Sequence, residues 1–119
     1  MQTEERNTCA QLPRGEAIAQ LNDALRTQGK HGVIMVTAGV RDLRGFNPVM
    51  LAASLASYAA FDADNDPHGE RDFGDMALFG ADLLWKIDYY DQDLTFGSPD
   101  PADPAVTKRV LTVMLASEY

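Results

Sequence analysis

Apolar positions along the 119 residues fall into two periodicities. Ala17, Ile18, Leu21, Ala24 and Leu25 recur at helical spacing, so a first helix is expected from Pro13 or Gly15 to Gln28, stopped by Gly29 in the manner of a C-terminal cap. Val33 to Thr37 is continuous, apolar and β-branched, the pattern of a buried strand. Gly39 to Gly45 reads as a loop. Asn47-Pro48 then supplies a cap and a first-turn proline for a second helix reaching about Ala60, with Val49, Leu51, Leu55, Tyr58 and Ala59 able to face a core. Phe61 to Gly74 is dense in turn-forming residues. Met76–Phe79 and Leu83–Tyr90 flank Gly80-Ala81 as a hairpin. Within the second arm Leu83, Trp85, Ile87 and Tyr89 alternate with Leu84, Lys86, Asp88 and Tyr90, which fits a sheet with one face on the core. A second loop covers Asp91 to Asp103. Asp103-Pro104 is expected to cap a third helix to about Ser117, with Val106, Val110, Val113 and Met114 as its apolar stripe.

The resulting order is α-β-α-β-β-α. The fold class expected is α+β, a three-stranded, largely antiparallel sheet with helices packed on one face. Residues 1–13 read as a loose lead-in and 14–119 as a single domain, long enough to bury a core without a metal or disulfide.

Charge adds a second layer. The net charge is −8, and it is unevenly distributed. Between Asp62 and Asp103 twelve acids face two bases, Arg71 and Lys86, a local charge of −10. Such a field repels phosphate backbones and attracts cationic surfaces. Direct nucleic-acid binding is therefore not expected, and a protein partner with a basic groove is; solubility alone is the plain alternative. No apolar run approaches a membrane span, and Met1 to Arg14 lacks the core of a secretory signal. Cys9 is the one cysteine, so no intrachain disulfide can form, and a reducing cytoplasm is the expected setting.

Candidate chemistry is sparse. Asp62, Asp64, Asp66 and His68 alternate as in hard-cation loops, but Pro67 and Phe73 stand where a calcium loop needs Gly and Glu. A looser metal site from His68, Glu70 and Asp72, serving a small metal-dependent enzyme, is an alternative. Against it stands the ordinary use of Asp and Asn to cap turns. Neither a Gly-x-Ser-x-Gly stretch nor a phosphate-binding glycine pattern occurs, so no catalytic residue and no cofactor are assigned. Tyr90 and Phe96, among carboxylates, suit contact with an Arg/Lys-rich surface.

Several segments carry a resemblance: Phe61 to Gly74, Leu84 to Asp91, Phe96 to Pro104 and Arg109 to Tyr119, together with Leu21–Arg26 and Thr37–Val40. They resemble the bacterial domain-of-unknown-function family 3768. A histidine often stands in that family where this chain has Arg71, which weakens any chemistry needing a second histidine there. The family supplies no activity to carry over. The resemblance implies a setting on plasmids and other mobile elements, where small acidic proteins act against host defence.

The expectation is thus a non-catalytic nucleic-acid mimic, an anti-CRISPR or anti-restriction inhibitor blocking a cationic nucleic-acid-binding surface of a host protein. Asp62, Asp64, Asp66, Asp88, Asp91 and Asp93 would supply charge, with Tyr90 and Phe96 as anchors. A plasmid accessory protein binding another plasmid-encoded protein is a further alternative.

Overall fold

The computed structural model describes residues 12–119; most of the lead-in, Cys9 included, lies outside them. Helix α1 spans Arg14–Gln28, strand β1 Gly32–Val36, a one-turn helix α2 Ala38–Arg41 and helix α3 Pro48–Ser57. Strands β2 (Phe73–Leu78), β3 (Ala81–Tyr90) and β4 (Lys108–Leu115) follow, and a short 3-10 turn covers Ala116–Glu118. The strands form one four-stranded sheet in the order β1-β4-β3-β2. β1 runs parallel to β4, while β3 is antiparallel to both β2 and β4.

The α+β class holds, but the third helix does not: Lys108–Leu115 is a strand, and it lies next to the sheet's centre. Val106, Val110, Val113 and Met114 satisfy helical spacing, yet the stretch is rich in β-branched residues, and its inward positions alternate as Arg109, Leu111 and Val113, all buried. Asp103 does cap, but only a turn, its Oδ1 accepting from the amide of Ala105 at 2.9 Å. With this fourth strand the sheet is mixed rather than largely antiparallel.

The hairpin turn is also shifted by one residue. Leu78 pairs with Ala81, so Phe79-Gly80 is the two-residue loop, with φ of 57° and 74°. Two consecutive positive φ values are the signature of a turn matched to strand twist. Phe79 is a costly residue for that conformation; its ring packs edge-on against Phe46 at 5.5 Å, which offsets the strain.

Helix starts and stops follow local chemistry. Asn47 Oδ1 accepts from the amides of Val49 and Met50 at 2.9 and 3.2 Å, and Gly29 ends α1 at φ 72°. The buried stripe of α1 is Ile18, Ala19, Asn22, Leu25 and Arg26. It is rotated from the expected apolar face because two polar residues, Asn22 and Arg26, point inward. On α3, Leu51 and Leu55 are buried while Val49 stays exposed.

The core fills one face of the sheet: Leu83, Trp85 and Ile87 from β3, Leu111 and Val113 from β4, and Leu25, Val40, Leu51 and Leu55 from the helical layer. Trp85 sits at its centre, with Tyr58 and Phe61 edge-on at 5.4 and 6.1 Å. Arg26 joins this cluster. Its guanidinium lies 5.4 Å from the Phe61 ring and 5.8 Å from Trp85, and it donates to the carbonyls of Leu55 and Tyr58 at 2.7 and 3.0 Å. A cation there satisfies the last carbonyls of α3 and suits the negative end of its dipole.

Gly74 makes room for Trp85. A β-carbon on it would lie 2.6 Å from both the indole Nε1 and the Tyr58 ring. Gly74→Ala is expected to cost about 1–3 kcal/mol through overpacking. Chemical denaturation monitored by Trp85 fluorescence tests this; an unchanged midpoint would contradict it.

Candidate functional site

The register places the acidic loops. Phe73 opens β2 opposite Lys86, and Tyr90 closes β3 opposite Lys108, the first residue of β4. The loop before β2 and the loop after β3 therefore emerge at the same end of the sheet, away from the Phe79-Gly80 turn. Both are fastened to α1. Arg71 binds Asp23 at 2.9 Å and Glu16 at 3.2 Å, and Arg14 binds Asp100 at 3.0 Å. The Asp23 carboxylate raises the Arg71 pKa further, against the effect of partial burial.

Beneath the loops lies a buried polar frame centred on Arg109, which is 1% exposed. Its Nε donates to Asn22 Oδ1 at 2.8 Å, a second nitrogen donates to the Pro101 carbonyl, and the guanidinium stacks 5.2 Å from the Tyr89 ring centre. Because Arg is donor-only, this contact fixes the orientation of the Asn22 amide. The Asn22 NH₂ then donates to the Glu70 carbonyl at 3.0 Å and to the Tyr89 hydroxyl at 2.8 Å. The phenol has one proton to give. Glu70 Oε1 at 3.0 Å is the nearer acceptor and Asp72 Oδ2 at 3.4 Å the farther. The frame thereby joins α1, β3, β4 and both loops.

Burial governs its ionisation. The Arg109 pKa is lowered by desolvation, partly countered by Tyr89 and Glu70. Tyr89 is pushed far up by burial and by the adjacent Asp72 and Glu70, so it stays a neutral donor. Asp72 is raised by burial first and by Glu70 second.

The expected partner-binding residues divide into two sets. Several acids build the loops. Asp62 Oδ1 accepts from the amides of Asp64 and Asn65 at 2.8 and 3.0 Å, and Asp66 Oδ1 accepts from Arg71 at 2.9 Å. Asp91 Oδ1 accepts from Asp93 and Thr95 at 3.1 and 3.0 Å. Asp64 and Asp93 are exposed. Asp88 and Tyr90 lie on the sheet face opposite the core, where Asp88 pairs with Lys86. Phe96 is 72% exposed on the second loop, and Leu94, not singled out from the sequence, stands beside it at 57%. This loop is pinned by backbone bonds from Asp91 to Phe96 at 2.8 Å, Leu94 to Asp91 at 3.0 Å and Ser98 to Tyr89 at 3.0 Å.

Of the alternative metal set, His68 is exposed while Glu70 and Asp72 turn toward Tyr89. Among the described residues no group of three or more His, Cys, Asp or Glu side chains is placed to hold a metal ion, and no helix is long and apolar enough to cross a membrane. The frame of Asn22, Tyr89 and Arg109 was missed because each residue looks like a routine surface or core position. Its one sequence signal is the arginine at an inward slot of a β-branched stretch.

Residues 36–118 match the family described as Protein of unknown function (DUF3768). The chain belongs to that family. The DUF3768 match covers β2 to β4, both acidic loops and, from the frame, Glu70, Asp72, Tyr89 and Arg109; Asn22 lies before it. No curated protein and no solved structure matches the chain.

Two outcomes follow for this DUF3768 chain. Tyr89→Phe leaves Asn22 and Glu70 short of a partner and should cost about 1–3 kcal/mol, read by chemical denaturation; a neutral effect would contradict the frame. Asp72 holds its proton more tightly when folded than its ordinary value of 3.8. Its contribution to stability is therefore full below that value and is lost as pH rises through the folded one. Asp72→Asn should then be stabilising at neutral pH, with the gain shrinking to nothing in acid. A gain that persists unchanged at acid pH would contradict it.

Proposed function

We propose that this chain is a non-catalytic binding protein whose working face is the loop end of the sheet, and that it occupies a basic, nucleic-acid-binding groove on another protein. The observation that carries this reading is the pair Leu94 and Phe96, exposed on a loop that backbone hydrogen bonds pin. Rigid apolar anchors lose little entropy on binding and are the usual energetic centre of an interface. The two acidic loops emerge at the same end of the sheet and would supply a field that speeds encounter with a cationic surface.

The division of labour among the acids sharpens the reading. Asp62, Asp66 and Asp91 shape the turns, each with one carboxylate oxygen engaged by backbone. Asp64 and Asp93 are the steering charges, Asp88 being paired with Lys86, and Phe96, Leu94 and Tyr90 the contacts. The concrete form is inhibition of a host nucleic-acid-handling enzyme by exclusion of its substrate, an anti-CRISPR or anti-restriction role.

Affinity capture from a bacterial host lysate across a salt series should recover a nucleic-acid-handling protein at low salt and progressively less as salt rises. With that partner in hand, Phe96→Ala should speed dissociation by about tenfold or more, and the double variant Asp64→Lys with Asp93→Lys should mainly slow association. A capture unaffected by salt, or variants with wild-type kinetics, would remove the proposal.

A further inference from the structure

We infer that strand β1 is a docking edge for an extended peptide with acidic flanks, which adds to the sheet as a fifth strand. The start of β1 shares a surface hollow with Gln92 and Leu94 of the second loop, but the outer edge of the strand does not rest on the reading given for the loops.

β1 ends the sheet, with β4 on one side. The Thr37 amide bonds the Val113 carbonyl at 3.0 Å. Backbone groups alternate in direction along a strand, so Val33 and Met35 also turn theirs to β4, and Ile34 and Val36 turn theirs outward. Among the described residues no strand pairs with that outer edge. Edge strands are ordinarily guarded by a charge, a proline or a bulge. Gly-Val-Ile-Met-Val has none of these, and its side chains are open: Val33 53% exposed, Ile34 39% and Met35 55%.

Beside this edge the helical layer leaves a groove of about 460 Å³, walled by Ile34 and Val36, by Phe46, and by Leu51 and Leu55 of α3. Its volume suits alternate apolar side chains of an added strand, as in peptide recognition by strand addition, where the backbone bonds give affinity and the pocket gives selectivity.

Charge selects the occupant. Residues 28–60 carry Lys30, Arg41 and Arg44 against Asp42 alone, a local charge of +2 in a chain of −8. Lys30 and His31 precede β1, and Arg41 and Arg44 follow it. Parallel self-pairing of β1 would set Lys30 of one copy against Lys30 of the other, and like charges at an interface are costly. A peptide with carboxylates on both sides of an apolar, alternating centre matches both the groove and its flanks.

The probe is a blocked synthetic peptide of alternating valine and threonine with two glutamates at each end, titrated into the isotope-labelled full chain, with a lysine-flanked twin as control. Binding should slow hydrogen exchange at the Ile34 and Val36 amides, and the lysine twin should bind at least about tenfold more weakly. Ile34→Lys, which guards the edge, should abolish binding while Trp85 fluorescence stays that of the folded chain. Lys30→Glu with Arg44→Glu, both on exposed residues, should weaken it severalfold. No binding of the acidic peptide, equal binding of the twin, protection on β2 instead, or a dimer of the unliganded chain that protects the same amides would each overturn the inference.

Discussion

Burial of the Arg109 guanidinium is the constraint on which the rest of this structure depends. A charge withdrawn from water is tolerable only where hydrogen bonds and opposite charge surround it. Here the acceptors come from parts of the chain far apart in sequence: Asn22 from α1 and the Pro101 carbonyl from the second loop. The Tyr89 ring and the nearby Glu70 lie beside it, and one terminal nitrogen, Nη1, stays buried without a hydrogen-bond partner. These bonds set the position of α1 against β4 and the second loop and, through the Asn22 bond to the Glu70 carbonyl, tie down the first loop at the end of the sheet where the register already places both. Arg26 does the equivalent on the other side of the core, where α1 meets the end of α3.

That constraint also explains what the sequence disclosed and what it hid. Local chemistry was legible. Gly29 stops α1, Asn47-Pro48 starts α3, and the alternation of β3 puts Leu83, Trp85 and Ile87 inward as its pattern demands. The error at Lys108–Leu115 has one cause. Reading a period of two there requires an arginine in an inward slot, and hydrophobic patterning discounts charged residues inside a core. Asn22 and Arg26 misdirected the face assigned to α1 in the same way. A frame that buries polar groups against one another is invisible to a method that sorts residues into apolar and polar.

The candidate site was half legible for a related reason. The count of carboxylates between Asp62 and Asp103 flagged an acidic region, but a count does not distinguish a carboxylate that closes a turn from one that faces solvent. Asp66 and Asp91 do the first, Asp64 and Asp93 the second, and Asp62 closes its turn while remaining exposed. Phe96 was recognisable as an aromatic among acids; Leu94 gained significance only once its loop was seen to hold it outward. Recognition of the DUF3768 family came from the sequence, and it carries no chemistry of its own to decide among functions.

The central claim is that one buried arginine holds both acidic loops in place, and hydrogen exchange on an Arg109→Met variant tests it most directly. Methionine keeps much of the volume while removing the charge and its bonds. The account predicts that amides in the 61–72 and 91–107 loops lose protection together, while those of β2 and β3 around the hairpin keep theirs. Loops that stay protected, or that respond one without the other, would contradict it.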